Sequence, residues 1–344
     1  PSTECPAQQR ESERVWHRAL GTMKISSMSA LCLAALLVVT ATVSDAAKPL
    51  AELSADFGIR LFREIAASAG DRNAVFSPHG AATLMGMVQL GAAGDTLAQL
   101  ASAMGFRLEG MIRNFLRPGL LDPVLTRMVM LNAVYFKGVW KIPFPVGGTH
   151  QREFYKEDGT KMLVPMMSLS AKLNASEFVT PTGLDYDVIE LPYHGETLSM
   201  YIVAPYLKTV PLSALTNIIT ASLINEWKNN LETVKRHLVL PKFSLESETD
   251  LRKPLSGMGI TDMFNEGKAD FTKINKTEPL FVSKALQKVK IEVNESGTKA
   301  SSATAAIFYE RMAPLEVVID RPFLFLVRHN PTGTILFMGQ VMEP

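Results

Sequence analysis

The chain has little cysteine. Its 344 residues include two, Cys5 and Cys32, both ahead of residue 47. Beyond them there is no thiolate nucleophile, no cysteine metal site and no disulfide framework, so stability must come from a packed core. A dominant charge is lacking too: 35 Lys and Arg against 34 Asp and Glu leave a formal net charge of +1. Such a balance gives no general attraction to nucleic acid or to an anionic membrane. No apolar run reaches the roughly 20 residues needed to span a bilayer. The patterns G-x-S-x-G, H-E-x-x-H, C-x-x-C and G-x-x-x-x-G-K-[ST] are all missing. The six histidines, His17, His79, His150, His194, His237 and His329, are scattered without ligand spacing. No metal or other cofactor is expected, and the chain is not read as an enzyme.

What is present suits one large domain, since 47% of the residues are hydrophobic. Residues 1–22 have no initiator Met and no apolar period, and read as translated upstream sequence. Met23 opens a better beginning. Lys24 supplies a basic start, residues 30–39 (ALCLAALLVV) an apolar run, and Ser44 and Ala46 the small residues of a cleavage site. Residues 23–46 are therefore expected to be a secretory signal, and residues 47–344 the mature, extracellular body. Within a secreted chain the triplets at Asn174, Asn275 and Asn294 are candidate glycosylation sites, with Asn174 and Asn275 preferred.

Apolar residues at helical spacing (Leu53, Phe57, Leu61, Ile65) predict a helix over 50–67. Residues 73–76 read as a short strand. Ser77 and Pro78 suit the cap and first position of a helix buried over 81–90, and another helix is expected over 95–104. From residue 128 short apolar runs separated by turns predict strands at 128–136, 187–191, 199–204, 237–240, 289–293, 323–327 and 335–339. Helical patterns intervene at 212–230 and 250–257. Helices first and then many strands, in antiparallel style, imply an α+β fold.

The informative stretch is residues 292–320, EVNESGTKASSATAAIFYERMAPLEVVID. It begins as a strand and passes into a run with nothing larger than Thr except Lys299. Such a run can be a flexible loop. Rich in Ala, Ser and Thr rather than Gly or Pro, it also remains able to form a strand. At period two, Thr298, Ala300, Ser302, Thr304 and Ala306 share one small-residue face. Then comes Arg311-Met312, a basic residue of the kind that fills the acid-floored pocket of trypsin-like proteases.

This loop, with DRPFLF at 320–325 and NPTGTILFMG at 330–339, resembles the serpin signature. Residues 73–78, LNAVYFKGVWKIPF at 131–144, 164–167 and 240–243 resemble the same family. The resemblance implies a multi-sheet fold with surrounding helices and an exposed reactive-centre loop. It also implies a monomeric suicide-substrate inhibitor of trypsin-like proteases, tissue-type and urokinase-type plasminogen activators among them, acting in fibrinolysis. Arg311-Met312 is then the bait bond, and Glu295, Ser296, Gly297, Thr298 and Ala300 form the hinge. Glu316 becomes a protease exosite, and Ser77 and Trp140 lie where the main sheet parts. Glu310 and Leu315 depart from the family pattern, which has a small residue at the first and an acidic one at the second.

One departure is larger. The resemblance calls for three helices and two main-sheet strands between residues 104 and 128, on the order of eighty residues at ordinary element lengths. The chain offers 105–127, with a junction near 109–111. The surfaces that bind vitronectin and heparin are implied to lie in that block, which counts against both partners. A sheet edge left open by the loss predicts poor folding. The alternatives are a non-inhibitory serpin (carrier, chaperone or storage) and a non-functional shortened form.

Overall fold

A computed structural model describes residues 47–107, 128–136, 138–274, 276, 279–295 and 314–344. The chain divides into two units, 1–48 and 49–344. The first lies almost wholly outside the described residues, and with it the upstream and signal segments. Also outside are Asn275, the hinge residues Ser296, Gly297, Thr298 and Ala300, and the bond Arg311–Met312.

Three helices come first: α1 (Ala47–Ala69), α2 (Pro78–Gly91) and α3 (Gly94–Met104). The apolar period of α1 buries Phe57, Leu61, Phe62 and Ile65. On α2, the Ser77 Oγ accepts from Gly80 N at 3.1 Å, so the capping expected from Ser77-Pro78 is made. Small residues let α2 sink on most sides, with Gly80, Ala81, Leu84, Met85 and Val88 all buried.

The strands follow as β1 (Ala74–Phe76), β2 (Met128–Phe136), β3 (His150–Tyr155), β4 (Lys161–Val179), β5 (Asp185–Pro192) and β6 (Leu198–Pro205). After them come β7 (Glu232–Pro241), β8 (Phe243–Asp250), β9 (Val282–Val293), β10 (Leu315–Val318), β11 (Phe323–His329) and β12 (Ile335–Val341). The larger sheet runs β1-β12-β11-β6-β5-β4-β7-β10, with β3 also on β4. The smaller sheet has three strands in the order β2-β9-β8.

Two buried clusters result. One lies under the helices and includes Phe57, Phe62, Phe76, Met85, Tyr201 and Trp227. The other brings the two sheets together through Phe154, Met166, Leu240, Val289, Ile291, Phe323 and Phe325. At roughly 1.5–3 kcal/mol per buried large apolar side chain, clusters of this size are the main stabilising term in a body without disulfides.

The α+β architecture agrees with the sequence expectation, and several details correct it. The pattern over 212–230 is two helices, α4 (Ser213–Thr216) and α5 (Ala221–Asn230), because Thr220 turns extended and its Oγ1 caps Leu223 N at 3.0 Å. Residue 250 closes β8 instead of opening a helix, and α6 covers Arg252–Gly257. The strands are not all antiparallel. β2 runs parallel to β9, and β10 runs parallel to β7. The 19-residue β4 was not among the expected strands: it pairs in turn with β3, β7 and β5, and Ser168, Asn174 and Ser176 at half-buried positions interrupt its apolar alternation.

Candidate functional site

The site is built around the segment 296–313, whose two flanks are described. On the near side, β9 ends at Val293 and the next two residues are clamped. Asn294 O accepts from Trp140 Nε1 at 2.8 Å, and Glu295 O accepts from Phe144 N at 2.9 Å. Trp140 is held in turn by stacking on Tyr193, centroids 4.5 Å apart. The Glu295 carboxylate meets Lys242 Nζ at 3.1 Å and accepts from Thr149 Oγ1 at 3.0 Å. Burial raises the Glu295 pKa, but its backbone hydrogen bond, Lys242 and Thr149 outweigh that and hold it below its ordinary value.

A lowered folded pKa stabilises the clamp in full above the unfolded value of about 4.3, and the gain is lost as pH falls through the folded value. Glu295→Gln should therefore lose part of the acid dependence of stability. Urea midpoints of the two proteins between pH 3 and 6 check this: the wild-type midpoint should fall more steeply on the acid side.

On the far side, β10 pairs with β7 over four positions, Leu315↔Arg236 to Val318↔Val239. Glu316 accepts from Arg152 Nη1 at 3.1 Å and lies 3.9 Å from His237 Nε2. Both ion-pair partners are about half exposed, so the pair contributes little to stability. Beyond it, Arg321 Nη2 donates to Val318 O at 3.2 Å, and Tyr155 N donates to Asp320 O at 2.8 Å. The segment thus spans two fixed ends.

Beneath the smaller sheet lies a polar hub. β2 and β9 pair directly over nine positions, from Met128↔Val282 to Phe136↔Ile291. On their inner face Gln287 Nε2 donates to Asn132 Oδ1 at 3.0 Å and to Ser77 O at 3.2 Å, while Ser77 N donates to Gln287 Oε1 at 2.7 Å. Ser77 Oγ also donates to Leu336 O at 2.7 Å. The Gln287 side chain therefore ties β9 to β2 and to the Ser77 backbone, while the Ser77 hydroxyl ties the cap of α2 to β12. A Cβ on Gly80 would stand 2.5 Å from Asn132 Oδ1, so a bare α-carbon is needed there.

The resemblance names Ser77 and Trp140 as lying where the main sheet parts; the structure places Ser77 in the hub and Trp140 on Asn294 O. Asn132, Gln287, Phe144 and Lys242 were missed. Gln287 did leave a signal: it is a polar residue on the inward parity of a strand that otherwise buries Ala285, Val289 and Ile291. No group of three or more His, Cys, Asp or Glu able to hold a metal occurs among the described residues.

Sequence and fold both match known proteins. The family model of serpins (serine protease inhibitors) matches residues 52–109 and 107–344. The chain is a serpin. It is 46% identical to plasminogen activator inhibitor 1 of Sus scrofa over 372 residues, covering 86% of this chain and 92% of that one. It is 40% identical to glia-derived nexin of Mus musculus, over 86% of this chain and 94% of that one. The crystal structure of native protease nexin-1 with heparin superposes with a TM-score of 0.78 at 36% identity, covering 87% of this chain and 100% of that one.

The family match breaks at 107–109. Of 372 positions aligned with the pig protein, this serpin fills 86% of 344, about 296, so about 76 have no counterpart here. The break falls shortly after α3 (Gly94–Met104) and ahead of residues 108–127, which lead into β2, the strand that borders the smaller sheet.

Proposed function

We propose that this serpin is a secreted inhibitor of trypsin-like serine proteases, plasminogen activators foremost, that acts as a suicide substrate in control of fibrinolysis. The observation that carries the reading is the pair of anchored ends around 296–313. A segment of 18 residues holding Arg311 is tied at Glu295 to the top of a three-stranded sheet and at Leu315 to the other sheet. A bait held between two fixed points stays within reach of a protease. Similarity to plasminogen activator inhibitor 1 supports the target class.

In the reaction the protease serine attacks the Arg311 carbonyl, the amide breaks, and Met312 leaves as a free amine. The near flank stays clamped at Glu295 while Arg311 remains esterified to the enzyme. Residues from about Thr298 onward are then free to add to the sheet as a strand. About ten ladder bonds at roughly 0.5–1.5 kcal/mol each amount to on the order of 10 kcal/mol, enough to distort a protease active site before deacylation.

Glu316 would meet a basic loop of the protease only by competing with Arg152. Asn174 stands mid-strand, its Nδ2 donating to Glu190 Oε2 at 2.9 Å and its Oδ1 accepting from Thr233 Oγ1 at 2.7 Å, beside a cavity of about 290 Å³. A glycan there replaces one Nδ2 hydrogen and leaves the other for Glu190. No vitronectin or heparin surface is proposed, because the chain is short between residues 104 and 128. Among the described residues no helix is long and apolar enough to cross a membrane.

The test is a denaturing gel of the chain with a plasminogen activator. A stable adduct at a one-to-one ratio is expected, and quantitative cleavage after Arg311 with active protease left over refutes inhibition. The edge of β2, unpaired among the described residues, favours a second reading, a shortened form that does not inhibit. It predicts no cooperative thermal transition as well as no adduct.

A further inference from the structure

Three chemistry-bearing side chains stand in one row across β4, β7 and β10. Ser170 lies opposite His237 in the β4–β7 register, and Glu316 lies opposite His237 in the β7–β10 register. Residues directly opposite one another in a ladder share a face of the sheet, so all three project together. Ser170 Oγ is 2.7 Å from His237 Nδ1, and Glu316 Oε1 is 3.9 Å from His237 Nε2. The row is open to solvent: Ser170 is exposed, and the His237 side chain is 31% exposed.

This placement gives the two ring nitrogens different tasks. A neutral imidazole carries a single N–H. The Glu316 carboxylate on the Nε2 side favours the proton there, which leaves the Nδ1 lone pair to accept from the Ser170 hydroxyl. Glu316 is held in turn, because Arg152 Nη1 donates to the same Oε1 at 3.1 Å. A nucleophile, a base within hydrogen-bond reach of it and a group that orients the base are the parts of an activated serine.

We propose that Ser170 is a covalent modification site: a surface nucleophile that takes an acyl or phosphonyl group from small activated donors, aryl esters and fluorophosphonates. His237 is its general base and Glu316 a positioning residue. The proposal stands apart from the inhibitory reading of Arg311.

With an aryl ester, Ser170 Oγ bonds to the acyl carbon while its proton passes to His237 Nδ1. The bond from that carbon to the aryloxide oxygen breaks, and the aryloxide takes the proton from Nδ1 and leaves as the phenol. With a fluorophosphonate the phosphorus–fluorine bond breaks instead, and fluoride leaves with the proton. Charge beside the row assists the attack. Two positions along the same face, Lys172 stands opposite Lys235. Like charges directly opposite one another disfavour a ladder, yet here they favour the negative charge that develops on the acyl or phosphonyl oxygen. Because Ser170 meets its donor on an exposed sheet face, the reaction suits donors with a good leaving group.

The experiment uses the full chain and a fluorophosphonate carrying a fluorescent dye. Gel fluorescence reads the rate of labelling, and peptide mass spectrometry reads its position. A single label at Ser170 is expected. A positioned general base contributes about 10²–10⁴-fold, so His237→Gln should slow labelling at least about tenfold. Ser170→Ala should remove the labelled peptide. For Glu316 the readout is the ring itself. In nitrogen NMR the parent's His237 is expected as the Nε2–H tautomer, and in Glu316→Gln as a mixture of both tautomers with slower labelling.

Label spread over several serines overturns the proposal. So does labelling of Ser170 that His237→Gln leaves unslowed, and so does a chain that takes no label. A chain that forms the protease adduct but takes no label at Ser170 keeps the inhibitory reading and loses this one.

Discussion

Arg311→Glu should lower the second-order rate of inhibition of a trypsin-like protease by at least about 100-fold. The specificity pocket of such an enzyme is floored by a carboxylate. A second carboxylate in place of the guanidinium leaves two like charges buried without a partner. Losing one partner of a buried charge pair costs about 2–5 kcal/mol, and each 1.4 kcal/mol is a factor of ten. Stopped-flow or discontinuous inhibition assays read the rate, and thermal unfolding of the uncleaved variant should match the parent, because the substitution leaves the described core untouched. A variant that inhibits within tenfold of the parent would move the bait bond elsewhere.

Gln287→Leu should lower the unfolding midpoint by about 5–15 °C. The change leaves the buried Ser77 N–H without an acceptor and the Asn132 carbonyl oxygen without its donor. Each lost partner in a buried site costs about 1–3 kcal/mol, and in a chain of this size 1 kcal/mol shifts the midpoint by roughly 2–4 °C. Lys288→Ala, one residue along on the exposed face, is the control. Lys288 pairs with Glu246 at the surface at 2.8 Å, and its loss should leave the midpoint close to the parent's. Equal effects of the two substitutions would mean that the hub is not what holds β2 and β9 together.

The expected and observed elements differ in an instructive way. Strands buried on both faces, such as β6 and β11, read as near-continuous apolar runs and were placed within one or two residues. β3 and β8 expose half or more of their side chains, and their polar composition hid them, while β10 (LEVV) has only four residues and is too short to stand out. The break between α4 and α5 was hidden for a related reason. Leu212, Leu215, Ile219 and Ile224 are all buried, so apolar period continues across the break, and only the Thr220 cap marks it.

The candidate site divides along the same line. Arg311 and the small residues before it stand out by side-chain chemistry alone, as does Ser77 before Pro78. Phe144 and Lys242 act through a backbone N–H and an ammonium group that close on Glu295, 151 and 53 positions away in sequence respectively. No local pattern encodes such a meeting.

By itself the sequence determined what each segment is able to become. A cysteine-free body must have a large apolar core, a run of Ala, Ser and Thr is able to form a strand, and an Arg at its end suits one class of protease. These follow from the chemistry of side chains read in order along the chain. Tertiary structure alone decided which strands are neighbours and in which direction they run. β2 lies parallel to β9 across some 150 residues of intervening chain, Gln287 hangs beneath both, and among the described residues one edge of β2 has no strand partner. Pairing between distant strands is set by how all the apolar faces pack at once, and that is a property of the assembled sheets.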